Sequence, residues 1–307
     1  MADEFTLTDD ALALPPGAIA RTHRQILRHR GRPVLGLTQG RMRPYAYPVF
    51  TPAGFAVTSE SPADHPHHNS LWIAADHMHA RFPVGGERYE EYTYNFYVDE
   101  TFQGRAPGTL VLKSTELSHD PVGNAVLAQA VEWRGPVEWG AASGRLVARE
   151  ERRLTVRVAG NANIIDVDST LLTDGWDIAI GPTRHAYFNV RVADSMVASL
   201  GGKVRDDRGR TGGEAVSGVG ARWVDFSGPV GGGNVAGLAV FPDPRDHEEA
   251  SWFVADWGAV SVGAFRLRQR LLRKGDPVRA RYRVIAHDGA ASDAAIDAWH
   301  AAFLAGK

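Results

Sequence analysis

Arg153-Leu154-Thr155-Val156-Arg157-Val158 alternates polar and apolar side chains. In an extended chain successive side chains point to opposite faces, so this run predicts a β-strand with one wet and one dry face. Thr109-Leu110-Val111-Leu112, Ile164-Ile165-Asp166-Val167-Asp168 and Arg279-Ala280-Arg281-Tyr282-Arg283-Val284 are further short runs of the same kind, separated by turn residues. The 33 glycines and 17 prolines are scattered along the 307 residues and not gathered into a linker. Asp206-Asp207-Arg208-Gly209 reads as a turn between short strands. The basic stretch from Arg21 to Arg30 suits either a strand or a short helix. Convincing helical spacing occurs once: Ser292 can cap a segment in which Ile296, Trp299 and Phe303 recur every three or four residues, with Gly306 ending it. The expectation is an all-β fold: a large antiparallel β-sandwich forming one domain over residues 1–307, with a C-terminal helix over 291–305.

Composition narrows the function. A hydrophobic fraction of 44% supplies an ample core, and a net charge of −2 offers no electrostatic case for nucleic acid or an anionic membrane. No run of eighteen apolar residues would span a bilayer, and Met1 to Thr8 lacks the pattern of a secretion signal. There is no cysteine, which excludes disulfides, thiolate metal sites and a thiol nucleophile, and agrees with a cytoplasmic location. Phosphate-cradling and dinucleotide-binding glycine motifs are absent, as is the His-Glu-x-x-His helix.

The chemistry concentrates in Asp64-His65-Pro66-His67-His68-Asn69-Ser70-Leu71-Trp72 and the following Asp76-His77-Met78-His79. These segments hold five of the twelve histidines. Imidazole titrates near neutrality and is the commonest metal ligand, so such crowding predicts a site. As acid/base groups, His65, His67 and His68 would act on a substrate hydroxyl or carbonyl without a cofactor. The second reading is a divalent metal held by His65, His67, His77 and His79, with Asp64, Asp76, Glu90 or Glu91 adding oxygen. Of Glu90 and Glu91, adjacent on a strand, only one can face the site; Glu90 is the choice.

A second polar stretch is Gly181-Pro182-Thr183-Arg184-His185-Ala186-Tyr187-Phe188-Asn189-Val190-Arg191. Alternation would project His185, Tyr187 and Asn189 from one face, with Arg184 and Arg191 beside them. Amide and guanidinium donors with aromatic rings suit a polyhydroxylated or anionic ligand. Trp223 and Phe226 read as core or pocket wall. The charged loop Pro242 to Glu249 reads as surface, with His247 or Glu248 as outside candidates for the site.

Three segments together resemble the bacterial "methane oxygenase PmoA-like" family: Arg43-Pro44-Tyr45-Ala46-Tyr47-Pro48-Val49 with Thr51-Pro52-Ala53-Gly54, then His65-Pro66-His67-His68, then Trp223-Val224-Asp225-Phe226-Ser227-Gly228-Pro229. The resemblance implies carbohydrate catabolism, since such genes tend to sit beside sugar dehydrogenases. It places Arg43 and Tyr45 beside the histidines. The last third departs from the family, with Asp243-Pro244 where a His-Pro pair is usual. His185-Ala186-Tyr187-Phe188-Asn189-Val190 resembles the strand that carries the catalytic histidine of sugar mutarotases. That implies His185 as an acid/base with one of His65, His67 or His68 as its partner, and a carboxylate late in the chain to complete the set.

The expected function is therefore an enzyme on a sugar, glycoside or oxidised (keto) sugar, working by epimerisation, β-elimination or glycoside cleavage. His65, His67, His68 and His185 would be catalytic; Arg43, Tyr45, Trp72, Glu90, Arg184, Tyr187, Asn189 and Arg191 would bind substrate. The partner would be a small-molecule carbohydrate, without nucleic acid or membrane. A metal-dependent oxygenase or hydrolase and a non-catalytic sugar-binding sandwich are the alternatives.

Overall fold

The computed structural model of the chain describes residues 4–9, 24–138, 140–173, 175–185, 187–247 and 252–307. The fold is an antiparallel β-sandwich with a C-terminal helix. One eight-stranded sheet runs, edge to edge, through Phe5–Asp9, Arg24–His29, Arg32–Gln39, Pro44–Val49, Leu71–Ala74, Tyr187–Arg191, Ala259–Val262 and Trp252–Ala255. A second runs through Lys203–Asp206, Val224–Gly231, Asn234–Pro242, Val278–Asp288, Ala162–Leu172, Leu146–Ala159, Ala125–Arg134 and Thr109–His119. A third, five-stranded sheet carries Arg270–Leu272, Ile178–Ile180, Met78–Gly85, Arg88–Asn95 and Ala106–Pro107. Every pairing between these strands is antiparallel except that of Arg88–Asn95 with Ala106–Pro107.

The alternating runs behave as their period requires. Leu154, Val156, Val167, Tyr282 and Val284 point into the core between the large sheets. On the other face their neighbours form a charged ladder: Arg157 reaches Asp166 at 2.9 Å, and Arg279 and Arg283 pair with Asp168 and Asp166. At one end this charged face is roofed by the helix Asp293–Leu304, capped by the Ser292 hydroxyl, which accepts from Ala295 N. Ile296 and Phe303 bury against Trp223, Phe241 and Ile285. Trp223 and Phe226 are core residues, as expected.

Arg24–His29 is a strand, settling the ambiguity for that part of the basic stretch; residues 21–23 lie outside the described residues. The turn after Asp206 is held by its carboxylate, which accepts from Arg208 N and Arg210 N. Sequence spacing did not signal the short helical turns at Asp194–Met196, Ala198–Leu200 and Gly213–Val216, each under two turns long and without an amphipathic repeat to betray it. No helix among the described residues is long and apolar enough to cross a membrane.

Two crossovers bring distant parts of the chain together. The chain leaves the first sheet after Leu71–Ala74 and enters the third at Met78; it leaves the third after Ile178–Ile180 and re-enters the first at Tyr187. Since Leu71–Ala74 pairs with Tyr187–Arg191, and Met78–Gly85 pairs with Ile178–Ile180, both connections are forced side by side.

Candidate functional site

Asp76 sits in the first crossover and His185 in the second, and their side chains meet: His185 Nδ1 lies 2.8 Å from Asp76 Oδ2. Asp76 also accepts from Arg105 Nη1 at 3.1 Å and from the Thr183 hydroxyl. Burial alone would raise the Asp76 carboxyl, but the bonds from His185 and Thr183 and the charge of Arg105 hold it below the usual carboxylate range. As an ionised acceptor it fixes the His185 proton on Nδ1 and leaves the lone pair on Nε2.

A second aspartate–histidine pair stands in the loop before Leu71–Ala74. His65 Nδ1 is 3.0 Å from Asp64 Oδ2, and Asp64 receives both bonds of a fork from Arg191 Nη2, at 2.9 and 3.0 Å. Burial works against the Asp64 charge, yet His65 and Arg191 hold its pKa down. The His65 ring lies flat on Trp257, with centroids 4.2 Å apart and planes 9° from parallel.

Between the pairs stand His67, His68 and Tyr97. His68 stacks on His65 with ring centroids at 4.8 Å and meets the Tyr97 hydroxyl through Nε2 at 3.2 Å; Tyr97 in turn stacks on His185 at 4.7 Å. Burial, with neighbouring positive charge, pushes His68 down to about 2 and His67 down to about 4, so both are neutral imidazoles at physiological pH. Burial also raises the Tyr97 phenol, keeping it protonated. His67 opens onto a cleft of about 380 Å³ lined by Tyr45, Ser61, Asn69, Val98 and Asp99.

Residues 25–301 match the family of unknown function DUF6807. The chain belongs to that family. No curated protein matches the chain at a significant level. Among solved structures, the DUF6807 chain is similar to a putative mutarotase, YeaD, from Salmonella typhimurium, at 11% identity and a TM-score of 0.33, covering 87% of this chain and 91% of that one. It is similar to the polysaccharide lyase BACCELL_00875 at 9% identity and a TM-score of 0.33, covering 93% of this chain but only 33% of the lyase. A third likeness is the Slr1438 protein from Synechocystis sp. PCC 6803, at 10% identity, a TM-score of 0.32, and coverage of 87% and 93%.

The DUF6807 structure brings His65, His67, His68 and His185, the four histidines singled out in the sequence, into one row of rings. It corrects several companions. His79 bonds Thr93 on the third sheet and faces Glu91; among the described residues no group of three or more His, Asp or Glu could hold a metal ion, so the set His65, His67, His77 and His79 is not assembled. Glu90 is exposed and pairs with Arg145 at 3.2 Å, well occupied on the third sheet. The shared face of His185, Tyr187 and Asn189 does not form, because His185 lies in the turn ahead of the strand. Tyr187 instead buries against Trp133 and bonds Ser169 at 2.8 Å, and Asn189 is buried, donating to the Tyr187 carbonyl.

Arg43 is fully buried and braces the site from behind, donating to the carbonyls of His67 and Tyr97; burial pushes its pKa down to about 10. Trp72 is a buried floor under His68. Tyr45 faces the cleft, but its hydroxyl is committed to Glu60. Arg191 acts through Asp64, and only Arg184 of the expected substrate-binding set is exposed beside an imidazole. The late carboxylate is not what pairs with His185; Asp76, early in the chain, does. His247 is buried against Tyr282, and Glu248 lies outside the described residues. Tyr97 and Trp257 escaped the sequence reading, since a lone aromatic in a short loop carries no pattern of its own.

Proposed function

We propose that this protein is a carbohydrate-processing enzyme that moves protons on an oxidised sugar or glycoside by histidine acid/base chemistry. The observation that carries the reading is the duplication: two imidazoles, each oriented by an aspartate through Nδ1, flank a pair of neutral histidines and a phenol. An aspartate so placed fixes the tautomer and favours the imidazolium once Nε2 has taken a proton. His185 takes the proton from a carbon next to a carbonyl, and His65 serves the other direction of transfer. Where a glycosidic oxygen lies β to that carbon, the C–H and C–O bonds break, a C=C bond forms, and the leaving oxygen is protonated. The neutral His67, which opens onto the cleft, offers a hydrogen bond to a sugar oxygen, while the buried His68 and Tyr97, bonded to each other, and the Trp257 ring under His65 hold the row of rings in place.

This chemistry asks for no cofactor. The resemblance to the PmoA-like family points the same way, towards sugar catabolism, and the lack of cysteine suits a reducing cytoplasm. The test is turnover of a panel of glycosides and keto-glycosides by wild type and His185→Ala. Turnover of a keto-glycoside, lost in the variant, supports the reading; ligand binding without turnover on any member, surviving every histidine substitution, reduces the protein to a sugar-binding sandwich.

A further inference from the structure

The reactive nitrogen of His185 is covered. With the ring proton on Nδ1 facing Asp76, the lone pair at Nε2 is the basic site of the neutral imidazole, and Arg184 Nε donates to it at 3.1 Å. The backbone beneath is pinned: His185 N donates to the Thr183 hydroxyl at 3.1 Å, and the Arg184 carbonyl accepts from Ser261 Oγ at 3.3 Å. The Arg184 residue is exposed, so its side chain can swing away while the imidazole stays in place. We infer that Arg184 is the receptor for a carboxylate on the substrate, and that binding this carboxylate lifts the guanidinium off Nε2 and opens the base. The inference rests on the acid/base reading above and narrows its substrate to a sugar acid or its glycoside.

Three observations support it. Other guanidiniums at this end are already engaged: Arg191 by Asp64, Arg105 by Asp76, and Arg43 by two backbone carbonyls. Arg184, by contrast, contacts no carboxylate among the described residues: its partners are His185 Nε2 and the face of Phe253, 5.4 Å from its ring centroid. Arg266 lies 5.9 Å from the same ring centroid, so two cationic groups converge on one aromatic surface next to His185. A guanidinium–carboxylate pair is charge-assisted and can be bidentate, roughly twice as strong as a bond to a neutral acceptor, so a carboxylate outcompetes the imidazole. A neutral sugar offers only hydroxyl acceptors and leaves the base capped.

Calorimetric binding of methyl glucuronoside and methyl glucoside to wild type and Arg184→Ala is the test, followed by turnover on matched keto-glycosides with and without the carboxylate. The expected result is tighter binding of the glucuronoside by wild type, with the preference falling on the order of 10–100-fold in the variant, and the turnover preference falling with it. Arg184→Lys should recover part of the preference as a point charge. Equal affinity of wild type for the two glycosides, or a preference that Arg184→Ala leaves intact, overturns the inference. The two readings fail separately: a glucuronoside preference that depends on Arg184, without turnover of any glycoside, contradicts the enzyme and leaves the carboxylate receptor standing.

Discussion

Asp76 and His185 are 109 residues apart in sequence and 2.8 Å apart at their hydrogen-bonding atoms. The bond is a product of topology, because two strand pairings force both crossovers between the first and third sheets together. Replacing Asp76 by Asn keeps an acceptor for Thr183 but can present an N–H where His185 needs a lone pair. The expected outcome for Asp76→Asn is turnover lowered by on the order of 10²-fold or more, comparable to His185→Ala at 10²–10⁴-fold, with His185→Ala still folded and its thermal transition lowered only modestly, because the buried Asp76 carboxylate keeps Thr183 and Arg105 as partners. Full activity in both variants would remove the pair from the mechanism.

Trp257 carries the His65 ring and the Arg191 guanidinium on its face, the latter 4.9 Å from the ring centroid. Trp257→Leu should lower kcat several-fold and change KM less, because the ring holds His65 in place and Asp64 alone leaves the imidazole freer to turn. A variant with unchanged kcat and a raised KM would make Trp257 a contact for the ligand instead.

Stability should fall as the solution is acidified. His67, His68 and His247 have pKa values of about 4, 2 and 4 in the folded protein, against 6.5 as the ordinary value. Between those limits the unfolded chain binds protons that the folded chain refuses, so their contribution is complete above pH 6.5 and is lost progressively as pH falls towards the folded values. Melting temperatures from pH 7.5 to 4.5 check this; a flat profile would contradict it. His68→Phe should make the slope shallower.

Trp223 is 1% exposed and packs under the C-terminal helix, with Nε1 donating to Asp297 at 2.9 Å. Trp223→Ala should destabilise the fold by about 3–5 kcal/mol in urea unfolding, and Trp223→Phe by about 1–2 kcal/mol, because the second keeps most of the packing and loses the hydrogen bond. Equal losses in the two variants would put the stabilisation in the Asp297 bond and not in the core.

Local pattern was enough for the sandwich. Arg153 to Val158 announces a strand by its period, though the strand itself extends over Leu146–Ala159, where the alternation is blurred by alanines and paired charges. The helix begins and ends within two residues of its cap signals. The histidine segment was legible because five imidazoles are rare in so short a span. What was not legible is long-range register. Asp76 drew attention as a metal ligand, when its meaning lies in the strand pairing that delivers His185 to it. The alternation drawn through His185, Tyr187 and Asn189 failed for a local reason: Gly181, at a φ of 75°, begins a turn that holds His185 outside the strand. A period-two rule cannot be carried across such a turn.

The proposed work of the Asp76–His185 pair is to remove a proton from carbon next to a sugar carbonyl. The direct measurement is deuterium incorporation, by mass spectrometry and NMR, into a keto-glycoside incubated with the protein in D2O. Exchange or elimination at that carbon is expected with wild type, with a rate lowered on the order of 10²-fold or more in both Asp76→Asn and His185→Ala. No exchange with wild type on any keto-glycoside of the panel, or equal rates in wild type and His185→Ala, would contradict it.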